Sequence, residues 1–237
     1  MKIEDLKIKI FADGANLEDM LAMYEKPYIQ GFTTNPTLMR KAGITDYEGF
    51  AQEVLSHIQD RPISFEVFSD EFDEMERQAQ KIQSWADNVY IKIPVPTTRA
   101  EPAYDLIRRL SQSGAKLNIT AIFTLEQVQA VAAALRGGAP SYVSVFDGRI
   151  ADTGIDPIPH MQQCLEILAD VPTAELLWAS PRELLNIVQA DAIGCHIITA
   201  TPAILNKLAN LDKDLGEFSL DTVKMFYKDA QAAGFSL

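Results

Sequence analysis

The sequence predicts an α/β protein built as a single (β/α)8 TIM barrel over residues 1–237, with an extra helix at the C-terminal end. The chain has 237 residues, 47% of them hydrophobic, which is enough for one large domain with a substantial core. Short β-branched apolar runs alternate with longer segments of helical periodicity, a pattern typical of βα units and a parallel sheet. Polar side chains lie near the end of each apolar run, where the mouth of a barrel would be.

Eight short apolar runs are predicted to be strands: residues 7–12, 28–32, 63–68, 89–93, 116–122, 141–146, 175–179 and 195–199. The intervening amphipathic segments are predicted to be helices: residues 46–58, 71–85, 99–112, 125–135, 158–168 and 181–189. Thr124 before Leu125 is a typical helix N-cap, and Ser180 followed by Pro181 predicts another helix start. A further helix, residues 220–233, must pack its apolar side chains on the barrel or on a partner.

Eight parallel strands can form either an open doubly wound sheet or a closed barrel. In an open sheet only the strand ends near the switch point meet, whereas all eight ends of a barrel face one mouth. The sequence has no glycine-rich nucleotide-binding motif after its first strand. A barrel therefore accounts best for the full set of polar strand-end residues, which comprises Asp13, Asn35, Glu66, Lys92, Asn118, Thr120, Ser144, Arg149, Ser180, Arg182, Thr199 and Thr201.

Lys92 is the unexpected member of this set because its strand neighbours are apolar. Tyr90, Lys92 and Pro94 share one face of the strand, so Lys92 is predicted to point into the barrel lumen. Burial disfavours the charged form of an amine and leaves a neutral nucleophile that can attack a carbonyl. The lysine alone fits a structural ion pair with Glu66 or Asp13 equally well.

The residues around Lys92 favour a catalytic site over a simple ion pair. A proton acceptor, a second carboxylate, two amides and a hydroxyl form a fuller set than an ion pair requires. Each of these residues also has a plain structural interpretation. Asp13 could cap the helix that begins near residue 16, Asn35 could shape the turn before a proline, and Thr120 could be an ordinary β-branched strand residue.

Charge and hydropathy restrict the possible partners. The net charge is −12, so the molecule should repel polyanions, and nucleic acid is not expected to bind. Small phosphorylated metabolites remain possible because a local arginine cluster and backbone N–H groups suffice to hold them. No apolar run approaches the roughly 18 residues that a membrane span needs, and no secretory leader is evident, so a cytoplasmic protein is expected.

Cysteine and histidine chemistry is not predicted. Cys164 and Cys195 belong to no CxxC motif, and Cys195 and His196 would point to opposite faces of one strand, so both thiols are interpreted as buried and structural. His57, His160 and His196 lie in unrelated elements, so neither a metal site nor a metal-dependent enzyme is expected. No cofactor is predicted.

The sequence resembles the transaldolase family, in particular its short single-barrel type, over nearly its whole length. The resemblance depends on seven ordered motifs: FADGAN at residues 11–16, TTNPTL at 33–38, EV at 66–67, IKIP at 91–94, NIT at 118–120, FDGRI at 146–150 and ASPR at 179–182. Family members of this type often form pentamers or decamers with C-terminal helices that cross between subunits. The resemblance thus implies a homo-oligomer.

The resemblance also implies a mechanism. Lys92 would form a Schiff base with the C2 carbonyl of a ketose phosphate, and Asp13 would be the general base on the C4 hydroxyl. Glu66 and Thr120 would hold the water that relays protons. The reaction would transfer a dihydroxyacetone unit from sedoheptulose 7-phosphate or fructose 6-phosphate to glyceraldehyde 3-phosphate or erythrose 4-phosphate.

The remaining site residues are expected to bind the sugar. By the resemblance, Asn35 and Asn118 would orient the three-carbon unit and Phe146 would line the site. The phosphate would be held by Arg149 and Arg182, together with Ser144 and Ser180. Two guanidinium groups suit a dianion because their donors fork onto its oxygens, and a helix that began at Pro181 would add N–H donors.

Three alternatives remain open. Fructose 6-phosphate aldolases share the scaffold but carry glutamine and tyrosine at the positions of Glu66 and Phe146, so the residues present here favour a transaldolase. Gly14 and Asp147 depart from the family pattern, and a carboxylate facing Arg149 would favour a different sugar tail. Asp147 follows Phe146 directly and is expected to point away from the lumen. A sugar-binding barrel without turnover would not need a buried lysine.

Overall fold

The structure is a computed structural model that describes residues 1–235, so the last two residues of the predicted domain lie outside the described residues. Eight parallel strands form a closed barrel in which each strand pairs with its sequence neighbours and the first pairs with the last. The strands are β1 (Lys9–Asp13), β2 (Ile29–Thr33), β3 (Ile63–Glu66), β4 (Val89–Pro94), β5 (Leu117–Ile122), β6 (Ser141–Val145), β7 (Ala174–Trp178) and β8 (Ile197–Ala200). The barrel and all eight predicted strands are therefore confirmed, with ends that shift by one or two residues.

Eleven α-helices are present among the described residues: α1 (Leu17–Tyr24), α2 (Pro36–Lys41), α3 (Tyr47–His57), α4 (Phe72–Gln83), α5 (Tyr104–Gln112), α6 (Leu125–Leu135), α7 (Asp147–Ala151), α8 (Pro157–Leu168), α9 (Leu185–Ala192), α10 (Pro202–Leu205) and α11 (Leu215–Ala233). The predicted helices 46–58, 71–85, 125–135 and 158–168 correspond closely to α3, α4, α6 and α8. Thr124 caps α6 as predicted, accepting a hydrogen bond from Gln127 N. The short helices α2, α7 and α10 were not predicted, because four to six residues show no helical period.

Two predicted helix starts are wrong. The segment 99–103 is not helical, and α5 begins at Tyr104, because Arg99 is drawn outward to Asp70 and Glu71 and Ala100 has a positive φ of 62°. Pro181 does not begin a helix either. α9 begins at Leu185 because the side chain of Asn186 accepts hydrogen bonds from the N–H groups of residues 182 and 183 and holds that segment as a turn.

The barrel lumen contains two layers of side chains. Each strand contributes one residue to the lower layer, and the residue two positions further along the chain belongs to the upper layer. The lower layer consists of Phe11, Gly31, Ser64, Tyr90, Asn118, Tyr142, Leu177 and Ile197. The upper layer consists of Asp13, Thr33, Glu66, Lys92, Thr120, Ser144, Ala179 and Thr199. Because side chains alternate across a strand, the pairs i and i+2 point into the same lumen at successive heights.

The lower layer closes the lumen with aromatic rings. Tyr90 stacks on Tyr142 at 4.0 Å between ring centroids, and Phe11 meets Tyr142 edge-on at 5.6 Å. Phe11 is opposite Gly31 in the register of β1 and β2. A Cβ atom at Gly31 would lie 2.6 Å from the Phe11 ring, so only glycine leaves room for this ring.

The helix α11 extends beyond the barrel and has no buried residue. Its apolar side chains remain exposed, with Val223 at 59%, Phe226 at 63% and Tyr227 at 69%. The start at Leu215 extends the predicted helix by five residues. The helix therefore does not bury its apolar side chains on the barrel, which was one of the two predicted possibilities; packing on a partner stays a prediction. Among residues 1–235, no helix is long and apolar enough to cross a membrane.

We predict that Gly31→Ala destabilises the barrel by about 1–3 kcal/mol, because the new methyl group overpacks the lumen against Phe11. Urea unfolding followed by circular dichroism measures this free energy. Gly14→Ala is the matched control, since a Cβ there meets no atom within 4 Å and should leave stability unchanged or slightly higher. Equal stability of the two variants would contradict the packing argument.

Candidate active site

The upper layer forms the floor of a cavity of about 520 Å³ that opens at the C-terminal end of the barrel. This volume is typical of sites that bind small metabolites. Ten of the eleven predicted site residues line it: Asp13, Asn35, Glu66, Lys92, Thr120, Ser144, Phe146, Arg149, Ser180 and Arg182. The structure also adds Thr33, Thr37, Leu38, Lys41, Ala121, Ala179 and Thr199 to the lining.

Lys92 lies at the centre of the floor and is only 6% exposed. Its Nζ atom donates a hydrogen bond to the carbonyl oxygen of Thr34 at 2.8 Å. The nearer carboxylate oxygen of Glu66 is 3.7 Å away, which makes a loose ion pair. The amine is thus buried and facing the cavity, with one firm hydrogen bond and one weak charge contact.

Two carboxyl groups lie near enough to the lysine to interact with its charge: Glu66 on the adjacent strand β3, and Asp13 on β1, which does not pair with β4. Burial raises the pKa of both Asp13 and Glu66 above their ordinary values, and the positive charge of Lys92 offsets part of that rise. Asp13 accepts a hydrogen bond from the hydroxyl of Thr33 at 2.8 Å, and that hydroxyl also contacts Thr199 Oγ1 at 2.6 Å. Raised pKa values make both groups stronger proton acceptors than ordinary carboxylates, as a general acid or base requires.

Asp13 and Asn35 are placed differently with respect to their helices. The N-cap of α1 is Asn16, whose side chain accepts from Asp19 N, so Asp13 is not needed as a cap. Asn35 does cap α2 by accepting from Leu38 N at 3.0 Å, and it lines the cavity as well. The plain structural interpretation thus fails for Asp13 and holds in part for Asn35.

Tyr47 is a supporting residue that sequence analysis missed. Its hydroxyl donates to the carbonyl oxygen of Glu66 and accepts from the N–H of Glu66, both at 2.8 Å. This two-way contact holds the end of β3 and so fixes the backbone that carries the carboxylate. The residue comes from α3, and nothing in the local sequence relates it to β3.

The floor near β5 is arranged by one hydrogen-bond chain. Ser144 Oγ donates to Asn118 Oδ1 at 2.6 Å, and Asn118 Nδ2 donates to Ser64 Oγ at 2.9 Å. Asn118 is fully buried and belongs to the lower layer, so it lies beneath the cavity and does not line it. Its position two residues before Thr120 accounts for this.

A β-bulge in β5 turns its C-terminal end toward the cavity. The pairing register with β6 shifts between Ile119 and Ile122, and Ala121 has a positive φ of 59°. Both Thr120 and Ala121 consequently line the cavity. The hydroxyl of Thr120 is buried and has no hydrogen-bond partner among the described residues, so it can bind a ligand. A positive φ at alanine costs roughly 1 kcal/mol, a strain often found at functional sites.

The two predicted arginines lie at the outer end of the cavity in different environments. Arg149 extends over the ring of Phe146, 5.4 Å from its centroid, and forms no ion pair among residues 1–235. Arg182 is paired with the carboxylate of Asp152 through Nε at 2.9 Å and through a second contact, and its Nη1 donates to Ser180 Oγ at 3.1 Å. Asp152 is therefore a competitor for any anion that binds Arg182.

The expectation of helix N–H donors at residues 181–182 is wrong for this site. The N–H of Arg182 already donates to the side chain of Asn186 at 2.8 Å. Since α9 begins only at Leu185, no helix N-terminus is available between Ser180 and Arg182. The groups that remain available at this end of the cavity are therefore side chains, chiefly those of Arg149, Ser180 and Arg182.

Gly148 joins the two loops that carry these arginines. A Cβ atom there would lie 1.6 Å from the carbonyl oxygen of Ser180, so only glycine permits this approach. Ser180 itself has a positive φ of 62°. The role of Gly148 could not be predicted from the FDGRI motif in which it lies, because the contact joins residues 32 positions apart.

Asp147 does not line the cavity, as expected. Its side chain is fully buried on the other side of α7, and neither carboxyl oxygen has a hydrogen-bond partner among residues 1–235. Burial raises the pKa of this carboxyl to about 8.

Both cysteines are buried, and burial raises the pKa of each thiol to about 12. Cys195 and His196 precede β8, and His196 Nδ1 accepts from Leu176 N at 3.0 Å, so its imidazole supports the strand pairing. No group of three or more His, Cys, Asp or Glu side chains within the described part of the chain is arranged to hold a metal ion.

The closed barrel and the lysine with two carboxyl groups in its mouth define a class of protein: a (β/α)8 barrel with an amine-containing active-site cavity. Residues 10–237 match the model of the Transaldolase/Fructose-6-phosphate aldolase family, and the chain belongs to that family. A relative named "Probable transaldolase" from Dehalococcoides mccartyi is 32% identical over 218 residues, which cover 90% of this chain and 97% of that protein. A second, from Streptococcus pyogenes, is 36% identical and covers 85% of this chain and 90% of that protein.

Solved structures support the fold alone. The barrel superposes on a monomeric dihydrodipicolinate synthase variant with a TM-score of 0.58 at 9% identity, covering 94% of this chain and 80% of that one. It superposes on 2,3-dimethylmalate lyase with a TM-score of 0.55 at 13% identity, covering 98% and 86%. Such identities carry no information about the reaction.

Proposed function

We propose that the protein is a transaldolase that transfers a dihydroxyacetone unit between sugar phosphates through an imine on Lys92. The observation that carries the proposal is the buried Lys92 amine, which faces the cavity beside two carboxyl groups with raised pKa values. A binding site would gain nothing from burying an amine with so weak a charge contact. A nucleophile suits this position, because the amine faces a cavity in which a carbonyl carbon can approach it and two carboxyl groups nearby can exchange protons.

Glu66 and Thr120 are proposed to serve imine formation and hydrolysis. The amine of Lys92 attacks the C2 carbonyl of the ketose, and the carbonyl oxygen leaves as water after protonation. Glu66 is 3.7 Å from the amine, and its raised pKa allows it to hold or release a proton. The unpartnered hydroxyl of Thr120 supplies a second hydrogen bond for the departing water.

Asp13 is proposed to be the general base for carbon–carbon cleavage. It removes the proton of the C4 hydroxyl, the bond between C3 and C4 breaks, and the electron pair moves into the iminium. The first aldehyde then leaves, and the enamine attacks an acceptor aldehyde in the reverse sequence. The hydrogen bond that the Thr33 hydroxyl donates holds the Asp13 carboxyl in place. The raised pKa of Asp13 suits a base that must later return the proton.

The sugar chain is proposed to extend from the floor to the arginines. Asn35 and Ser144 contact the three-carbon unit, and Asn118 acts indirectly by orienting Ser144. Arg149, which has no carboxylate partner among the described residues, is the main ligand for the phosphate. Arg182 and Ser180 complete that end, with Arg182 weakened by Asp152.

The second candidate is an aldolase that releases free dihydroxyacetone from fructose 6-phosphate. The family name includes this activity. The carboxylate of Glu66 beside the amine and the lack of a hydroxyl on Phe146 favour transfer over release. The soluble sugar phosphates of a transaldolase also agree with the proposed cytoplasmic location and with a chain whose net charge disfavours nucleic acid.

We expect borohydride reduction in the presence of fructose 6-phosphate to attach a three-carbon or six-carbon adduct to Lys92. Peptide mass spectrometry after digestion identifies the modified residue. Lys9 is a matched control, since it is another strand lysine but is paired with Glu175 outside the cavity at 2.6 Å. An unmodified Lys92 would refute the imine, whichever sugar reaction is involved.

The variant Lys92→Met tests the same residue by another route. Turnover should fall by more than about 10³-fold, because Lys41, which also lines the cavity, lies at the end of α2 and not in the upper layer of the lumen. The fold should survive, since methionine is similar in length and is easier to bury. Loss of the circular dichroism spectrum would indicate a structural lysine instead.

Transfer and release can be separated in one assay. With fructose 6-phosphate as donor, we expect erythrose 4-phosphate to be consumed faster than free dihydroxyacetone appears. Consumption of erythrose 4-phosphate and release of dihydroxyacetone are measured by coupled enzymes in the same reaction. Dominant release of dihydroxyacetone in the presence of the acceptor would favour the aldolase over the transferase.

We propose that the exposed apolar face of α11 packs on other copies of the chain in a homo-oligomer. Val223, Phe226 and Tyr227 are too exposed for a helix that remains in water alone. Light scattering after size exclusion should give a mass several times 26.3 kDa. The variant Phe226→Glu should lower that mass, whereas Lys224→Glu on the same helix serves as a charge control.

A further inference from the structure

Asp147 is a buried carboxyl group that the proposed mechanism does not use. It is the first residue of α7, between Phe146 and Arg149, which both line the cavity. Its own side chain points the other way and has no exposed surface. Neither carboxyl oxygen is hydrogen-bonded to another group among residues 1–235.

Among residues 1–235, no positively charged group contributes to the pKa shift of Asp147, which is caused by burial. The thiols of Cys164 on α8 and Cys195 before β8 are the ionisable groups whose pKa values respond to it, and burial keeps both thiols neutral. On α7 itself, Arg149 extends to the cavity side over Phe146, and Asp152 at the end of the helix is exposed and bound to Arg182. Because burial raises the pKa of Asp147 to about 8, it is mainly an uncharged acid at pH 7.

Loss of this proton would place a charge in an apolar layer without a counter-ion. Such a charge is costly, and outward movement of α7 toward water relieves the cost. Arg149 is two residues further along α7, so it must move with the helix. Gly148 contacts the carbonyl oxygen of Ser180, so the turn that carries Arg182 is also affected.

We propose that Asp147 is a positioning residue for the anion-binding end of the cavity, whose neutral acid holds α7 on the core and whose ionisation displaces Arg149. The proposal rests on the proposed role of Arg149 as the phosphate ligand. Sugar phosphates would therefore bind well at neutral pH and poorly at alkaline pH, while the chemistry at Lys92 would not be involved.

The direction of the pH effect follows from proton linkage. The carboxyl has a higher pKa in the folded protein than in the unfolded chain, so the folded state binds the extra proton. The stabilisation is complete below the unfolded pKa of about 4 and is lost as the pH rises through about 8. Asp147→Asn cannot ionise and should lack this loss.

The experiment measures sulfate binding by calorimetry from pH 6.5 to pH 9.5. Sulfate is used because it stays a dianion over this range, whereas phosphate titrates. The full-length protein is compared with Asp147→Asn and with Asp147→Leu, which has a similar shape and no charge. Every other titrating group is common to all three proteins, so the ratio of their dissociation constants isolates Asp147.

We expect equal dissociation constants at pH 6.5 and a wild-type constant about 30-fold weaker than that of Asp147→Asn at pH 9.5. This follows if only the protonated state, about 3% of the protein at that pH, binds the anion. Asp147→Leu should give the same ratio. Arg149→Gln should weaken binding in either background at every pH.

Parallel pH profiles of the wild type and Asp147→Asn would overturn the proposal, as would undiminished sulfate binding by Arg149→Gln. The outcome is independent of turnover. A failure to trap an imine on Lys92 would refute the proposed function and leave the sulfate profiles intact, so the two failures can be told apart.

Discussion

The burial of the Lys92 amine is the constraint on which the rest of the site depends. An amine with one firm hydrogen bond and a carboxylate 3.7 Å away is stable in the interior only if the surrounding framework is closed and rigid. The closed barrel supplies that framework, since each strand is paired on both sides and no edge can open. The same closure brings Asp13 and Glu66 close enough to Lys92 that its positive charge lowers the pKa of both carboxyl groups against the effect of burial.

The two-residue repeat of the strands separates stability from chemistry. The lower layer packs Phe11, Tyr90 and Tyr142 into the lumen, and the residue two positions further along each strand faces the cavity. The aromatic rings of the lower layer and the reactive groups of the upper layer both follow from the alternation of side chains along each strand. Gly31 fits this scheme, because the ring of Phe11 occupies the space a side chain would need.

The end of the cavity that carries Arg149 and Arg182 is built differently. Its residues come from loops and from the five-residue helix α7, and backbone approach substitutes for strand pairing. Gly148 lies against the carbonyl oxygen of Ser180, and Ser180 has a left-handed backbone conformation. This end depends on a few close contacts, so one buried acid at Asp147 can influence it. The cavity floor, in contrast, is held by the paired strands of the barrel and does not depend on a few loop contacts.

Much of the fold was predictable because strand and helix periodicities are local properties. The eight strands, the helix bounds near α3, α4, α6 and α8, and the position of Lys92 in the lumen agree with the structure. The starts of α5 and α9 were not predictable, because the residues before each helix are held in a non-helical conformation by the side-chain contacts of Arg99 and Asn186. The layer occupied by Asn118 was missed, because alternation shows that residues 118 and 120 face the lumen but not at which height the cavity begins.

The barrel class, the lumen-facing lysine and the family could be predicted from the sequence, because side-chain alternation and motif order are local properties of the chain. Which polar groups are already paired and which are available to a ligand depends on the packing of the folded chain. Asp152 pairs with Arg182, Tyr47 holds Glu66, and Asp147 is buried without a partner among the described residues. Each of these facts joins elements far apart in sequence, and the distance between two side chains follows from packing and not from spacing along the chain.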